Sequence, residues 1–184
     1  MAYTVSNMMD LGTKAPDFSL LDTVSGQMMN LSDIQSDKAT VLIFSCNHCP
    51  FVHFVNDEMV QIAKDYQAKG IAFAAISSND AVHYPEDGPE AMATFAKESG
   101  YSFPYLYDET QAVGKAYDAA CTPDFYIFDG KMKLVYRGQI DSARPSNGKE
   151  ITGADLRGAL DAVLNHEPVA TIQYPSGGCG IKWK

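Results

Sequence analysis

A continuous apolar, β-branched run, Thr40-Val41-Leu42-Ile43-Phe44, ends one residue before Cys46-Asn47-His48-Cys49-Pro50. The run lacks the alternation of a half-exposed strand, so it reads as a central parallel strand covered on both faces. Beyond the cysteines, Phe51, Val55, Met59, Ile62 and Tyr66 recur at intervals of 4, 4, 3 and 4, and the pattern stops at Gly70. That is one apolar face of a helix with glycine at its end. Pro50 suits a first helical turn, where its missing N–H has no partner to lose. A second apolar run, Ile71 to Ile76, completes a strand–helix–strand unit whose crossover is expected to be right-handed.

The flanking sequence extends the same alternation. Phe18–Leu21 and Met28–Leu31 read as an N-terminal hairpin around Ser25-Gly26. After a polar, turn-rich stretch from Asn79 to Pro89 come a helix over Glu90–Glu98, a short strand Phe103–Tyr107 and a helix over Glu109–Ala119. Asp108 and Gln111 suit a reciprocal cap for that last helix. Cys121-Thr122-Pro123-Asp124 leads into a strand Phe125–Phe128, and the Asp129-Gly130 turn returns the chain as Met132–Tyr136. A polar loop, Asp141–Glu150, precedes a final helix that starts after Thr152 and buries Leu156, Leu160, Val163 and Leu164. Residues 167–184 have Pro and Gly but little period, and read as an irregular C-terminal tail. The sum is an α/β layered sheet. With 184 residues and no repeat or linker, one domain over 1–184 is expected.

Four cysteines, Cys46, Cys49, Cys121 and Cys179, are too few for a disulfide scaffold. A Cys-x-x-Cys where a buried strand meets a helix points instead to redox chemistry. Cys46 is expected at the helix N-terminus, where unpaired N–H groups and the dipole lower a thiol pKa from about 8.5. Cys49, three residues on, is placed to resolve a mixed disulfide. His48 supplies a hydrogen bond or positive charge beside the thiolate. Two other readings stay open here: half of a zinc site, which needs two more ligands, or simple burial. His53 lies on the helix between Phe51 and Phe54, and reads as a solvent-facing or packed residue. His83 and His166 carry no pattern.

Composition excludes several partners. The net charge is −9, which offers no footprint for nucleic acid or anionic membrane. No stretch approaches the ~20 apolar residues of a membrane span. Met1–Gly12 has neither a basic nor an apolar signal region, so a cytosolic location is expected.

These features resemble the thioredoxin-like superfamily, in its peroxiredoxin-like (alkyl hydroperoxide reductase/thiol-specific antioxidant) branch that carries a Cys-x-x-Cys. The resemblance runs from about Gly12 to His166 and rests on Gly12-Thr13-Lys14-Ala15-Pro16-Asp17-Phe18, on Cys46–Cys49, and on Thr122-Pro123 before a strand. It implies a thioredoxin-like fold with a helix–strand insertion, a cis Thr122–Pro123 bond, and Pro123 shaping a groove for a substrate thiol. It also implies a thiol–disulfide oxidoreductase acting on protein or small-molecule thiols and disulfides, with an unknown reductant and no cofactor.

The alternative within the branch is a thiol-dependent peroxidase using Cys46 or Cys49. Its Pro-x-x-x-Thr-x-x-Cys signature fits neither cysteine. Counting back from Cys49 meets Cys46 and Leu42; counting back from Cys46 meets Ile43 and Ala39. Where peroxiredoxins place an activating arginine stands Pro123, and Arg137 reads as a solvated strand end. Thioredoxin's buried aspartate is replaced by Thr40, which leaves Asp80 as the nearest acid for proton transfer. Cys121 and Cys179 are candidate auxiliary redox thiols. Cys121 lies beside the cis bond, and Cys179 sits on what reads as a mobile tail.

Overall fold

The computed structural model describes residues 3–184. Its strands are β1 Tyr3–Val5, β2 Ser19–Asp22, β3 Met28–Asn30, β4 Ala39–Phe44, β5 Ala72–Ser77, β6 Tyr105–Tyr107, β7 Cys121–Thr122, β8 Asp124–Asp129, β9 Leu134–Gly138 and β10 Gly177–Gly180. The helices are α1 Leu31–Ile34, α2 Pro50–Gln67, α3 Pro89–Ser99, α4 Ala112–Ala116 and α5 Ala154–Leu164. A seven-stranded mixed sheet runs in the order β3-β2-β6-β5-β4-β8-β9.

β4 is central, as its unbroken apolar run requires. It pairs in parallel with β5 and antiparallel with β8, and all six of its residues are buried. Val41 and Ile43 enter one core with Val55, Met59 and Ile62 of α2 and Leu156 and Leu160 of α5. Leu42 and Phe44 enter a second core on the opposite face with Phe18, Leu31, Tyr117 and Tyr126. The period-two pleat thus serves two layers, and no polar side is left to alternate. The sheet, the helices on both faces and the inserted α3–β6 unit give the thioredoxin-like fold expected from the resemblance. No described helix is long and apolar enough to cross a membrane.

Three local readings are corrected. The helix expected over Glu109–Ala119 shortens to Ala112–Ala116, and Gln111 adopts a left-handed backbone with φ 63°. Asp108 does not form a reciprocal cap with Gln111; its carboxylate accepts from Ser78 Oγ at 2.7 Å and from Gly114 N at 2.8 Å. The Gln111 amide instead donates to the carbonyls of Ser78 and Lys182, each at 2.8 Å. Tertiary partners therefore outcompete the local pairing that capping propensity favours.

The third correction concerns the tail. Residues Gly177–Gly180 form β10, the middle strand of a three-stranded sheet ordered β1-β10-β7. Ser176 N and Ser6 Oγ are bonded at 3.0 Å, Ile181 N reaches Ala120 O at 3.0 Å, and Lys182 N reaches Asn79 Oδ1 at 2.8 Å. Three of the four β10 residues are glycine. Such a segment has no apolar periodicity to read, and its pairing is supplied by backbone alone.

Candidate active site

Cys46 lies two residues beyond the end of β4, and Cys49, with extended backbone, is the N-cap residue of α2. The helix begins at Pro50, so the cap position belongs to Cys49 and not to Cys46. Thr122, the last residue of β7, meets both sulfurs. Its Oγ1 is 3.2 Å from Cys46 Sγ, and its carbonyl is 3.2 Å from Cys49 Sγ. The peptide bond that follows, Thr122–Pro123, is cis as expected. Cys46, Cys49, Val52 and Cys179 form a small cluster of their own, apart from the two main cores.

The pair's electrostatics differ from the sequence expectation. Cys49 is drawn down to about 5, chiefly by the hydrogen bond it accepts from Cys46, with further ones from Cys179 and Thr122; burial opposes the shift. Cys46 is pushed up by that same bond, by burial and by the negative charge of Asp87. The two sulfurs therefore hold one proton between them, and the negative charge settles at the helix cap. As a thiol, Cys49 donates to the Thr122 carbonyl; as a thiolate it gives up that bond and keeps those it accepts, the backbone N–H of Val52 among them.

Titration should show this directly. Thiolate absorbance near 240 nm is expected to appear as pH rises through about 5. In Cys46→Ala the midpoint should move upward, because the largest stabilising cause is gone. An unchanged midpoint would mean that the helix cap acts without help from Cys46.

His48 is near the pair but turns toward an acid that the sequence reading missed. One ligand atom from each of Cys46, His48 and Asp87 lies within 4.8 Å of the others. His48 Nδ1 is 2.5 Å from Asp87 Oδ2, without the alignment of a hydrogen bond, and its ring stacks on Tyr84 at 5.5 Å. Asp87 is fully buried and accepts from Asn47 N at 2.8 Å, His48 N at 3.3 Å and Asn79 Nδ2 at 2.7 Å. It sits in a Pro85–Asp87 turn whose sequence reads only as polar. Asp80, the acid expected near the pair, is instead bound by His83 at 2.5 Å and Val82 N at 3.0 Å. Cys46, His48 and Asp87 together offer three ligands to a zinc-type cation, one fewer than a closed structural site uses.

The other candidates are equally placed. Cys179 is in β10 opposite Thr122, buried, and its thiol is raised to about 12 by burial and by its bond to Cys49. The mobile-tail reading of Cys179 is thus replaced by a fixed one. Cys121 is buried, 4.0 Å from Ser6 Oγ, and pushed up by burial and by Asp124. His53 is exposed on α2, edge-on to Phe95. The guanidinium groups are engaged elsewhere: Arg137 with Met9 O and Gln173, Arg144 with Gln139 and two carbonyls, Arg157 with Glu58 and Asp65.

Comparison with known proteins agrees with this fold. A structure of a conserved uncharacterised protein from Geobacillus kaustophilus is 58% identical, with a TM-score of 0.99, over 100% of this chain and 97% of that one. A hypothetical protein from Sinorhizobium meliloti is 49% identical, with a TM-score of 0.95, over 98% of each chain. A secreted disulfide oxidoreductase from Mycobacterium tuberculosis shares the fold at 19% identity and a TM-score of 0.60, over 79% of this chain and 95% of that one. A search of curated proteins finds no match. The AhpC/TSA family matches residues 11–137, more than half of the sequence and the whole strand–Cys-x-x-Cys–helix unit, and the chain belongs to that thioredoxin-like redox family.

Proposed function

We propose that this chain is a thiol–disulfide oxidoreductase that exchanges disulfides through Cys46 and Cys49. The observation that carries the reading is the clustered cysteine pair at the start of α2, with Thr122 Oγ1 3.2 Å from Cys46 Sγ and Thr122 O 3.2 Å from Cys49 Sγ. Cys46 attacks a substrate sulfur while its proton passes along the existing bond to Cys49. Substrate thiolate leaves, and Cys46 is held in a mixed disulfide. Cys49 then loses its proton to water and attacks Cys46 to release the second substrate thiolate. The opposite order is poorer, because it leaves Cys46 to resolve, and burial and Asp87 keep Cys46 protonated.

His48 tunes the pair through Asp87. When protonated it offsets the carboxylate charge that opposes thiolate formation on Cys46. Pro123, after the cis bond, holds Thr122 against both sulfurs. The substrates are protein or small-molecule disulfides, and the reaction needs no cofactor. A reducing compartment such as the cytosol suits a chain that must regain both thiols.

One observation favours the peroxidase reading, namely the Thr122 hydroxyl 3.2 Å from Cys46 Sγ. It has no guanidinium beside it to take up the charge that develops as an O–O bond breaks. The deciding experiment supplies dithiothreitol as reductant and compares glutathione disulfide or insulin with hydrogen peroxide. Turnover of the disulfides well above the rate with dithiothreitol alone is expected. Turnover of peroxide only would overturn the proposal.

A further inference from the structure

The groove beside Thr122 is filled by the chain itself. β10 pairs antiparallel with β7, setting Cys179 opposite Thr122 and Gly180 opposite Cys121, while β1 closes its other edge. Gly178 lies so close that a Cβ there would stand 2.0 Å from the Thr122 carbonyl and 3.4 Å from the Phe51 Cβ. Cys46 is 1% and Cys49 0% exposed, in a cluster with Cys179 that is separate from the two main cores. The side chain that β10 delivers into the thiol cluster is Cys179, which packs there with Cys46, Cys49 and Val52.

Resting on the proposed exchange chemistry, we infer that Cys179 is a third redox thiol and that β10 is a built-in exchange partner for Cys49. Once a substrate disulfide has oxidised the pair, Cys179 Sγ attacks Cys49 Sγ. The Cys46–Cys49 bond breaks, a Cys49–Cys179 bond forms, and Cys46 leaves with the electron pair and takes up the proton Cys179 gives away. No net oxidation occurs; the two-electron equivalent moves along the chain. The new bond pins β10 across β7 and returns Cys46 as a free thiol.

The test uses the full-length chain in which Cys46→Ser removes the competing partner. Oxidised glutathione first places a glutathionyl group on Cys49, releasing one glutathione. Cys179 then displaces the second. Two glutathiones released per chain, none retained, and a Cys49–Cys179 link in a non-reducing peptide map are expected. Adding Gly178→Ala, which β10 cannot accommodate against Thr122, should leave glutathione on Cys49 and speed alkylation of Cys179 at least ~10-fold. If Cys179 stays alkylatable in Cys46→Ser, with or without an adduct on Cys49, or if Cys121 forms the link instead, the inference falls. Failure of the Cys179→Ser chain to form a Cys46–Cys49 disulfide would instead defeat the proposed function.

Discussion

Cys49→Ser should lower steady-state reduction of a disulfide substrate at least ~10³-fold while a stable mixed disulfide accumulates on Cys46. The first half follows from the second step of exchange. Cys49 meets the Cys46 sulfur as an oriented intramolecular group, and such groups act with effective concentrations of about 10⁵ M or more. An external thiol at millimolar concentration cannot replace it. The second half follows from the shared proton, since the hydrogen bond to Cys49 is the largest cause holding Cys46 up. Removing that partner lifts the largest of these causes while burial and Asp87 still oppose the thiolate, so Cys46 attacks more slowly, and the adduct it forms has nothing to resolve it.

Cys46→Ser should be as inactive in turnover, yet hold no lasting adduct, because Cys179 stands ready to clear Cys49. Intact-mass measurement after exposure to glutathione disulfide separates the two variants. A lasting adduct in Cys46→Ser and none in Cys49→Ser would reverse the assigned order of attack.

The parts of this arrangement visible in the sequence are those written in short-range pattern. The run Thr40–Phe44, the 4, 4, 3, 4 spacing on α2 and Pro50 at its start place the cysteine pair at a strand–helix junction. The expectation that Cys46 caps the helix is corrected to Cys49, because a cap is decided by where the backbone turns helical, and it does so at Pro50. Asp87 and the Thr122 hydroxyl escaped the reading because their relation to Cys46 is purely tertiary. They lie 41 and 76 positions away in sequence and on different elements. β10 escaped it because a strand of Gly177, Gly178, Cys179 and Gly180 has no hydrophobic face. What fixes that strand is the close approach of backbones that only glycine permits, together with the serine, asparagine and glutamine contacts on either side of it.

Asp124→Asn should remove a pH dependence of stability worth about 4 kcal/mol between pH 4 and pH 8. Asp124 opens β8 directly after Pro123 and is fully buried. Burial drives its carboxyl up to about 7, against the hydrogen bonds it accepts from Ser6 Oγ at 2.7 Å and Tyr126 Oη at 3.1 Å. In the unfolded chain an aspartate titrates near 3.9. Below about pH 4 both states are protonated, and the group's contribution to stability is fully present. Between 4 and 7 the unfolded chain releases its proton while the folded chain retains it, so stability falls as pH rises. Above about 7 the contribution is lost, and roughly three pKa units at ~1.4 kcal/mol each give the stated size. Asp65 and Asp80, held below their ordinary values by Arg157 and His83, work in the opposite direction and are common to both proteins. The difference between the unmodified chain and Asp124→Asn therefore isolates the buried acid. Urea unfolding at a series of pH values measures it, and curves that stay parallel from pH 4 to 8 would show that Asp124 is ionised inside the fold at neutral pH.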